Sequence, residues 1–361
     1  MILNLLTLQK YIRGVVEMKR VVICLLAVLS MLAISGSATA KTLTIKMSYN
    51  GPPDEVNNAV HYYAVNFKKL VEDKLGGKIK IELYPDSQLG TEEERMELLT
   101  KSGLNQPIIN VASYAGIAPV LPEAYAASIP FMFDSYKAAH RFFDSGKYWS
   151  KVKEEFKKRT GAVLLEAVEE GGFLAFTNSK REIKSPDDFK GLKFRAMDEG
   201  QVTLYKAFGA SGIPIPWTEL YMALKTGVVD GQMNPATYII IGSLYEVQKY
   251  MTLANIQYSD QFLVVNGDLF DGLPEADQKA IAEAAHKANV MTRQMVESQD
   301  AEQIKFLEEK GMKVYAPNEK EMNAFRSKGQ PAYIEWLKAT VDEKWLNMAL
   351  EDAKAANEAV K

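Results

Sequence analysis

Apolar positions along the chain recur with two periods, and the switches between them lay out its elements. Thr42 to Tyr49 alternates, with Leu43, Ile45, Met47 and Tyr49 apolar, the repeat of a strand with one buried face. Asn50-Gly51-Pro52-Pro53 breaks it. From Asn58 to Leu75 the spacing becomes helical: Val60, Ala64, Phe67, Leu70 and Val71 share a face ahead of Gly76-Gly77. Lys78 to Tyr84 is again a strand. Thr91 and Glu94 form the capping box of a helix that ends before Gly103. Pro107 to Ala112 is a short apolar run, as in a buried strand. This βαβαβ order predicts a parallel, doubly wound sheet.

Ser135 to Asp144 and Tyr148 to Arg159 read as helices, Ala162 to Val168 and Leu174 to Thr177 as strands. Ser185-Pro186 opens a short helix that Gly191 stops. Leu192, Phe194 and Ala196 then alternate with Lys193 and Arg195, which predicts a half-buried strand. A strand from Gly212 to Pro216 runs into Trp217. Thr218 caps a helix whose Leu220, Ala223 and Leu224 share a face before Gly227. Val228-Val229 reads as a short strand, Asp230-Gly231 as a turn, and Asn234-Pro235 as the start of the next segment. Tyr250 to Ile256 and Phe262 to Val265 are further apolar segments. Pro274 begins a helical pattern that continues to Gly311, roughly 30 residues or about 45 Å at 1.5 Å per residue. Pro331 to Leu337 and Val341 to Val360 read as closing helices. Arg195, Trp217 and Asn234 all fall at strand ends, where open α/β sheets put their ligands.

The first 40 residues do not fit this scheme. Lys19-Arg20 precedes an apolar run from Val21 to Ile34, and Ser35 to Ala40 ends in an A-x-A pattern. That is the make-up of a secretory signal peptide, and it predicts a periplasmic protein. Met18 just ahead of the basic pair suggests that translation starts there, with residues 1–17 an over-extended start. The single cysteine, Cys24, lies inside the apolar run. The mature chain therefore has no disulfide, thiolate metal site or cysteine nucleophile. The whole chain carries 43 basic and 46 acidic residues. Lys10, Arg13, Lys19, Arg20 and Glu17 are the charges ahead of Lys41, so the mature chain is more acidic still. That balance argues against nucleic acid or an anionic membrane as a partner. The remaining length suits two domains.

Catalysis finds little support. The three histidines, His61, His140 and His286, are scattered without metal spacing, and the chain has no GxSxG, P-loop or GxGxxG. His61 follows the first strand and loop, on the side expected to face a cleft. No cofactor or metal is implied. Arg195 has two readings: a surface residue paired with Asp198 or Glu199, or a planar fork gripping a carboxylate in a bidentate pair. Asn234 would add a donor. Trp217 would form an apolar wall or pack on Tyr221. Gln261 and Asn50 read as turn residues or as polar groups reaching a ligand.

GLKFRAM (191–197) followed by WTELYMALKTGVVDGQMNP (217–235) resembles the extracytoplasmic solute receptors of tripartite ATP-independent periplasmic (TRAP) transporters, the dicarboxylate-receptor or DctP-like family. IELYPDSQLG (81–90), IPFMF (129–133) and TNSKREIKSPDDFKG (177–191) fit the same resemblance, which runs from about Lys41 to the C-terminus. It implies a two-lobed periplasmic binding protein of α/β class. Each lobe is a sheet flanked by helices, joined by hinge strands and a long bridging helix. Lobe I would be 41–170 plus 257–298, and lobe II 171–256 plus 299–361. It implies that Arg195 binds the ligand carboxylate, Asn234 assists it, and Trp217 walls the site. Partners would be a small organic acid and the integral-membrane TRAP permease, with the receptor a monomer. Two positions depart from the family pattern. Residues 170–176 hold no arginine, and Met233 stands where many members have glutamate. Both changes remove charge. The expected ligand is thus a monocarboxylate with an apolar or aromatic portion, walled by Trp217, Phe173, Met233 and Tyr114. A receptor of the same fold serving a sensor kinase or an ABC permease is the alternative, an enzyme the more distant one.

Overall fold

A computed structural model describes residues 10, 11, 13–18, 42–100 and 107–361. Residues 10, 11 and 13–18 are helical. The signal-peptide stretch from Lys19 to Ala40 lies outside the described residues, as does the stretch around Gly103. From Thr42 onward the alternating segments become two sheets. The first part of the chain forms β1 (Leu43–Ser48), α1 (Ala59–Leu75), β2 (Ile79–Tyr84), α2 (Glu92–Thr100) and β3 (Ile108–Ala112). Then come α3 (Tyr114–Ile117), α4 (Tyr136–Ser145) and α5 (Lys147–Thr160). Asn58 starts α1 by accepting from the backbone N–H groups of Val60 and His61, the local reason the helix begins where the apolar spacing changes.

The middle of the chain forms β4 (Val163–Phe173), β5 (Ala175–Asn178), β6 (Lys193–Ala196), α6 (Glu199–Phe208) and β7 (Ser211–Pro214). It continues with α7 (Trp217–Lys225), β8 (Gly231–Asn234), α8 (Ala236–Ile241) and β9 (Tyr250–Thr252). The last part is β10 (Tyr258–Val265), α9 (Gly267–Asp271), α10 (Glu275–Glu309), β11 (Lys313–Tyr315), α11 (Glu319–Thr340) and α12 (Glu343–Ala359).

The first sheet has the order β2-β1-β3-β10-β4. Its β1, β2 and β3 are parallel, as the βαβαβ pattern predicts, and β10 inserts antiparallel between β3 and β4. The second sheet has the order β11-β9-β5-β8-β6-β7, with β6 parallel to β7 and to β8. The chain passes from the first sheet to the second between β4 and β5. It returns between β9 and β10, and crosses again through α10. At 35 residues, α10 is about 52 Å long. Its Ala280, Ile281, Ala284 and Ala285 pack with α1 against the first sheet, while Leu307 enters the core of the second. The β4–β5 crossing is tight. Gly172 has φ +82°, and a Cβ there would lie 2.1 Å from the Tyr136 hydroxyl, so only glycine fits.

Four local expectations change. The strand read at Val228-Val229 forms three residues later, as β8. The Asp230 N–H donates to Lys193 O at 2.7 Å, and its carboxylate accepts from the Lys193 N–H at 2.9 Å, which holds residue 230 in the turn. Gly231 opens the strand because a Cβ there would lie 2.4 Å from Thr177 O. Thr218 does not cap α7, which Pro216 precedes at the cap position. Helix α11 starts at Glu319 and runs through Pro331. Its Phe325, Tyr333 and Leu337 are fully buried, and that packing outweighs the hydrogen bond the proline lacks. Finally, α12 packs through Trp345, Leu346, Ala349 and Ala353 into the cluster of Phe142, Tyr148 and Trp149 beside the first sheet. The expectation that 299–361 sits wholly in lobe II therefore does not hold for this helix. Its apolar stripe finds its partner on α4 and α5.

Candidate functional site

The carboxyl ends of the parallel strands β6, β7 and β8 bring the candidate residues to one edge of the second sheet. Arg195 is the third residue of β6, paired in register with Ile213 of β7. It is only 4% exposed. Its Nε donates to Ile215 O at 2.8 Å. Among the described residues, nothing accepts from Nη1 or Nη2. Burial lowers the guanidinium's pKa, while Tyr205, Glu92, Asp198 and Glu170 pull it back up through space. Asp198, the cap of α6, is the nearest thing to a counter-ion in its own lobe. Its Oδ1 accepts from the Gln201 N–H at 2.9 Å, its Oδ2 has no partner, and burial pushes its pKa up to about 6. The pairing of Arg195 with Asp198 or Glu199 that the sequence left open does not form.

Arg195 lines a cavity of about 250 Å³. On its side stand Met197, Ile215, Pro216 and Trp217, an apolar wall whose indole packs edge-on to Tyr238 at 5.0 Å. The opposite side comes from loops of the first sheet: Asn50 after β1, Ser87 after β2, and Thr91 and Glu92 at the start of α2. These are held by Arg95, one turn into α2 and 1% exposed. Arg95 donates to Asn50 Oδ1 at 2.6 Å, to Ser48 Oγ and Thr91 O at 3.3 Å, and to Val111 O at 3.5 Å. Asn50 passes the order on, donating to Glu92 Oε1 at 3.0 Å.

Deeper in, a pocket of about 30 Å³ is lined by Tyr114, Met233, Asn234, Glu170 and Asp260, with Met197 as the wall shared with the outer cavity. Asn234 donates to Gln232 Oε1, so part of its donor capacity is spent within β8. Tyr114 donates to Asp260 at 3.3 Å. Glu170 accepts from Ser259 Oγ and from Gln261 Nε2. Burial pushes its carboxyl up to about 7. Burial likewise raises Asp260 well above the usual carboxylate range.

The predicted residues thus divide. Asn50, Arg195 and Trp217 meet at the outer cavity, while Tyr114, Met233 and Asn234 line the inner one. Gln261 lines neither: its amide joins Glu170 to the Tyr238 hydroxyl, 3.0 Å away. Phe173 is not a wall of the Arg195 cavity. It packs on Tyr136 and Tyr258 and lines a separate cavity with Met251, Asp300 and Ile304. The reason is its place just after Gly172, past the bend that turns β4 out of the first sheet. Sequence reasoning missed Glu92, Arg95 and Glu170. Acidic residues in a first helical turn look like ordinary complements of the helix dipole, so Glu92 carried no distinguishing signal. His61 lies buried, its Nδ1 2.5 Å from the Tyr49 hydroxyl, and lines neither cavity. His140 and His286 sit against Glu169 and Glu166. Asp144, Glu166 and His286 bring ligand-type atoms within 4.8 Å of one another. Arg293 already holds both oxygens of Asp144, at 2.7 and 2.9 Å, so the cluster is an ion-pair network.

A two-sheet α/β chain with a buried, under-used arginine in its cleft can be set beside known proteins. The family model for bacterial extracellular solute-binding proteins, family 7 (DctP), matches residues 54–339. The chain belongs to the DctP family. The 2,3-diketo-L-gulonate-binding periplasmic protein YiaO of Escherichia coli is 31% identical over 255 residues, 70% of this chain and 76% of YiaO. The C4-dicarboxylate-binding periplasmic protein DctP of Rhodobacter capsulatus is 31% identical over 278 residues, 73% of this chain and 78% of that protein. Among solved structures, the sugar acid binding protein DctPAm of Advenella mimigardefordensis, in complex with galactonate, superposes with a TM-score of 0.80. It is 31% identical and covers 88% of this chain and 99% of its own. This DctP-family chain is accordingly a TRAP-type solute-binding protein and not an enzyme. Among its described residues, no helix is long and apolar enough to cross a membrane.

Proposed function

We propose that this receptor captures a small monocarboxylic acid in the cleft between its two lobes and delivers it to a TRAP permease from the periplasm, as a monomer. The observation that carries this reading is Arg195: buried, fixed through Nε, and with both terminal nitrogens free to grip a carboxylate in a fork. Among the described residues it is the only cation lining its cavity, which favours one carboxylate over two. Met197, Ile215 and Trp217 offer an apolar flank to the rest of the ligand. Asn234 borders the inner pocket, behind Met197. The lobes would meet along the crossings near residues 174 and 253–257, and two contacts already span the cleft. Thr237 of α8 donates to Asn57 O, and the Gln261 amide reaches the Tyr238 hydroxyl. Such contacts are those a closed receptor would keep over a bound acid.

The test is a thermal-shift and calorimetric screen of the mature protein, refolded to strip carried-over ligand, against keto acids, sugar acids, aromatic monoacids and dicarboxylates. One class of monoacid is expected to raise the melting point, by about 2.7 kcal/mol of stabilisation at 100 times its Kd. Arg195→Ala is expected to abolish the shift. Shifts that survive in Arg195→Ala would remove the anchor on which the reading rests.

A further inference from the structure

The carboxylate of Glu92 is a feature of the cleft that the reading above leaves without a task; the neighbouring Glu93 also lines the cavity but is exposed. It faces the same cavity as Arg195, from the opposite wall. It is held firmly: Oε1 accepts from Asn50 Nδ2 at 3.0 Å and from the Ser113 N–H at 2.6 Å, and Oε2 accepts from Ser113 Oγ at 2.8 Å. Every one of these donors is neutral. Arg95, three residues along the same helix, gives its charge to Asn50, Ser48 and two backbone carbonyls instead. The cleft therefore holds a fixed cation on one wall and a fixed anion on the other.

We propose that Glu92 is a specificity-determining residue. It selects monocarboxylates that carry a hydrogen-bond donor, hydroxyl or ammonium, at the end away from the carboxylate, and it rejects a second carboxylate. The inference rests on the carboxylate-receptor reading of Arg195. A donor at the far end makes a charge-assisted bond to a carboxylate that is already oriented, so little freedom is lost. A methyl end gains nothing there and strips water from Glu92. A second carboxylate meets like charge inside a partly desolvated cleft, where screening is weak. The wall opposite Trp217 thus reads polarity, which confines the expected apolar or aromatic portion to the Trp217 side.

A matched four-carbon series tests this: butyrate, 4-hydroxybutyrate, 4-aminobutyrate and succinate, titrated calorimetrically into the mature wild type, Glu92→Gln, Glu92→Asp and Arg195→Ala. The wild type is expected to bind at least one of the hydroxy and amino acids about tenfold or more tighter than butyrate, the range of a hydrogen bond to a charged group. Succinate is expected to bind weakest. Whichever of hydroxyl or ammonium gains more identifies the source of the donor. Glu92→Gln should shrink the donor advantage to about threefold or less and bring succinate level with butyrate. Glu92→Asp keeps the charge but withdraws it, and should keep the rejection of succinate while losing the donor advantage. The proposal is overturned if succinate binds the wild type as well as the hydroxy acid does, or if Glu92→Gln leaves the ratios unchanged. Loss of all binding in Arg195→Ala together with unchanged ratios in Glu92→Gln would overturn this inference alone. Binding that persists in Arg195→Ala, or no binding of any probe to the wild type, would overturn the parent reading and this one with it.

Discussion

Arg95 and Arg195 are equally buried, at 1% and 4% exposure, yet they do opposite things with their nitrogens. Arg95 donates from all three of its nitrogens inside the first lobe, to one amide, one hydroxyl and two backbone carbonyls. Arg195 spends only Nε. A buried guanidinium whose hydrogen bonds are met is part of the scaffold, whereas one left short is stored binding capacity, held at a cost in desolvation. The residue type is the same, and so is the burial. Only the count of satisfied donors tells the two roles apart.

The largest expected effect comes from emptying the second role. Arg195→Ala should weaken ligand binding by at least about 100-fold, the scale seen when one partner of a buried charge pair is truncated. Its melting temperature without ligand should not fall. A calorimetric Kd and a thermal scan check both halves, and a marked loss of stability would make Arg195 a scaffold residue like Arg95. The mirror experiment is Arg95→Met. Four acceptors lose a charged donor, so urea unfolding should show a loss of roughly 3 kcal/mol, with binding weakened much less than in Arg195→Ala. The reverse order of effects would collapse the distinction.

A third expectation concerns the acid behind the cleft. Glu170 is raised to about 7 from an ordinary 4.5, chiefly by burial, with Glu92 adding to it and Ser259, Gln261 and Tyr238 opposing it. A raised carboxyl favours the folded state while it is neutral. That stability is fully present below about pH 4.5 and is lost as pH rises through about 7. Relative to wild type, Glu170→Gln should therefore gain stability across this window, by up to roughly 3 kcal/mol, and the gain should level off above it. Thermal or urea unfolding of both proteins at several pH values measures the difference, and a gain independent of pH would mean that Glu170 does not titrate there. The smallest effect should come from Asp198→Asn. Asparagine still caps α6, but the negative charge that attracts Arg195 from behind disappears. Ligand affinity should then rise by about threefold, a modest change because the two groups do not touch.

Much of this is legible in the sequence. The β1-to-β3 pattern gave parallel strands because alternation and helical spacing switch cleanly there. Arg195 and Trp217 stood out because both fall where parallel strands end. Other features were hidden for physical reasons. The start of α11 and its passage through Pro331 depend on packing by Phe325 and Tyr333, and a rule that places proline at a helix start begins this one too late. Phe173 was misplaced because the bend at Gly172 decides which way it faces, and that bend is set by Tyr136, distant in sequence. Glu92 looked like an ordinary acid in a first helical turn. Its role depends on Asn50 and Ser113 reaching it from two other loops, contacts that leave no periodic trace.

The position of β10 also bears on how the chain is made. Strand β4 lies at the edge of the first sheet, and among the described residues β10 is its only strand partner there. As the chain emerges from the ribosome, β4 has nothing to pair with until residue 258 and beyond has appeared. The whole second sheet up to β9 is synthesised in that interval. Closure over so long a loop is slow, because the chain must give up its freedom before the contact rewards it. The first sheet is therefore expected to complete later than one that closes from neighbours in sequence.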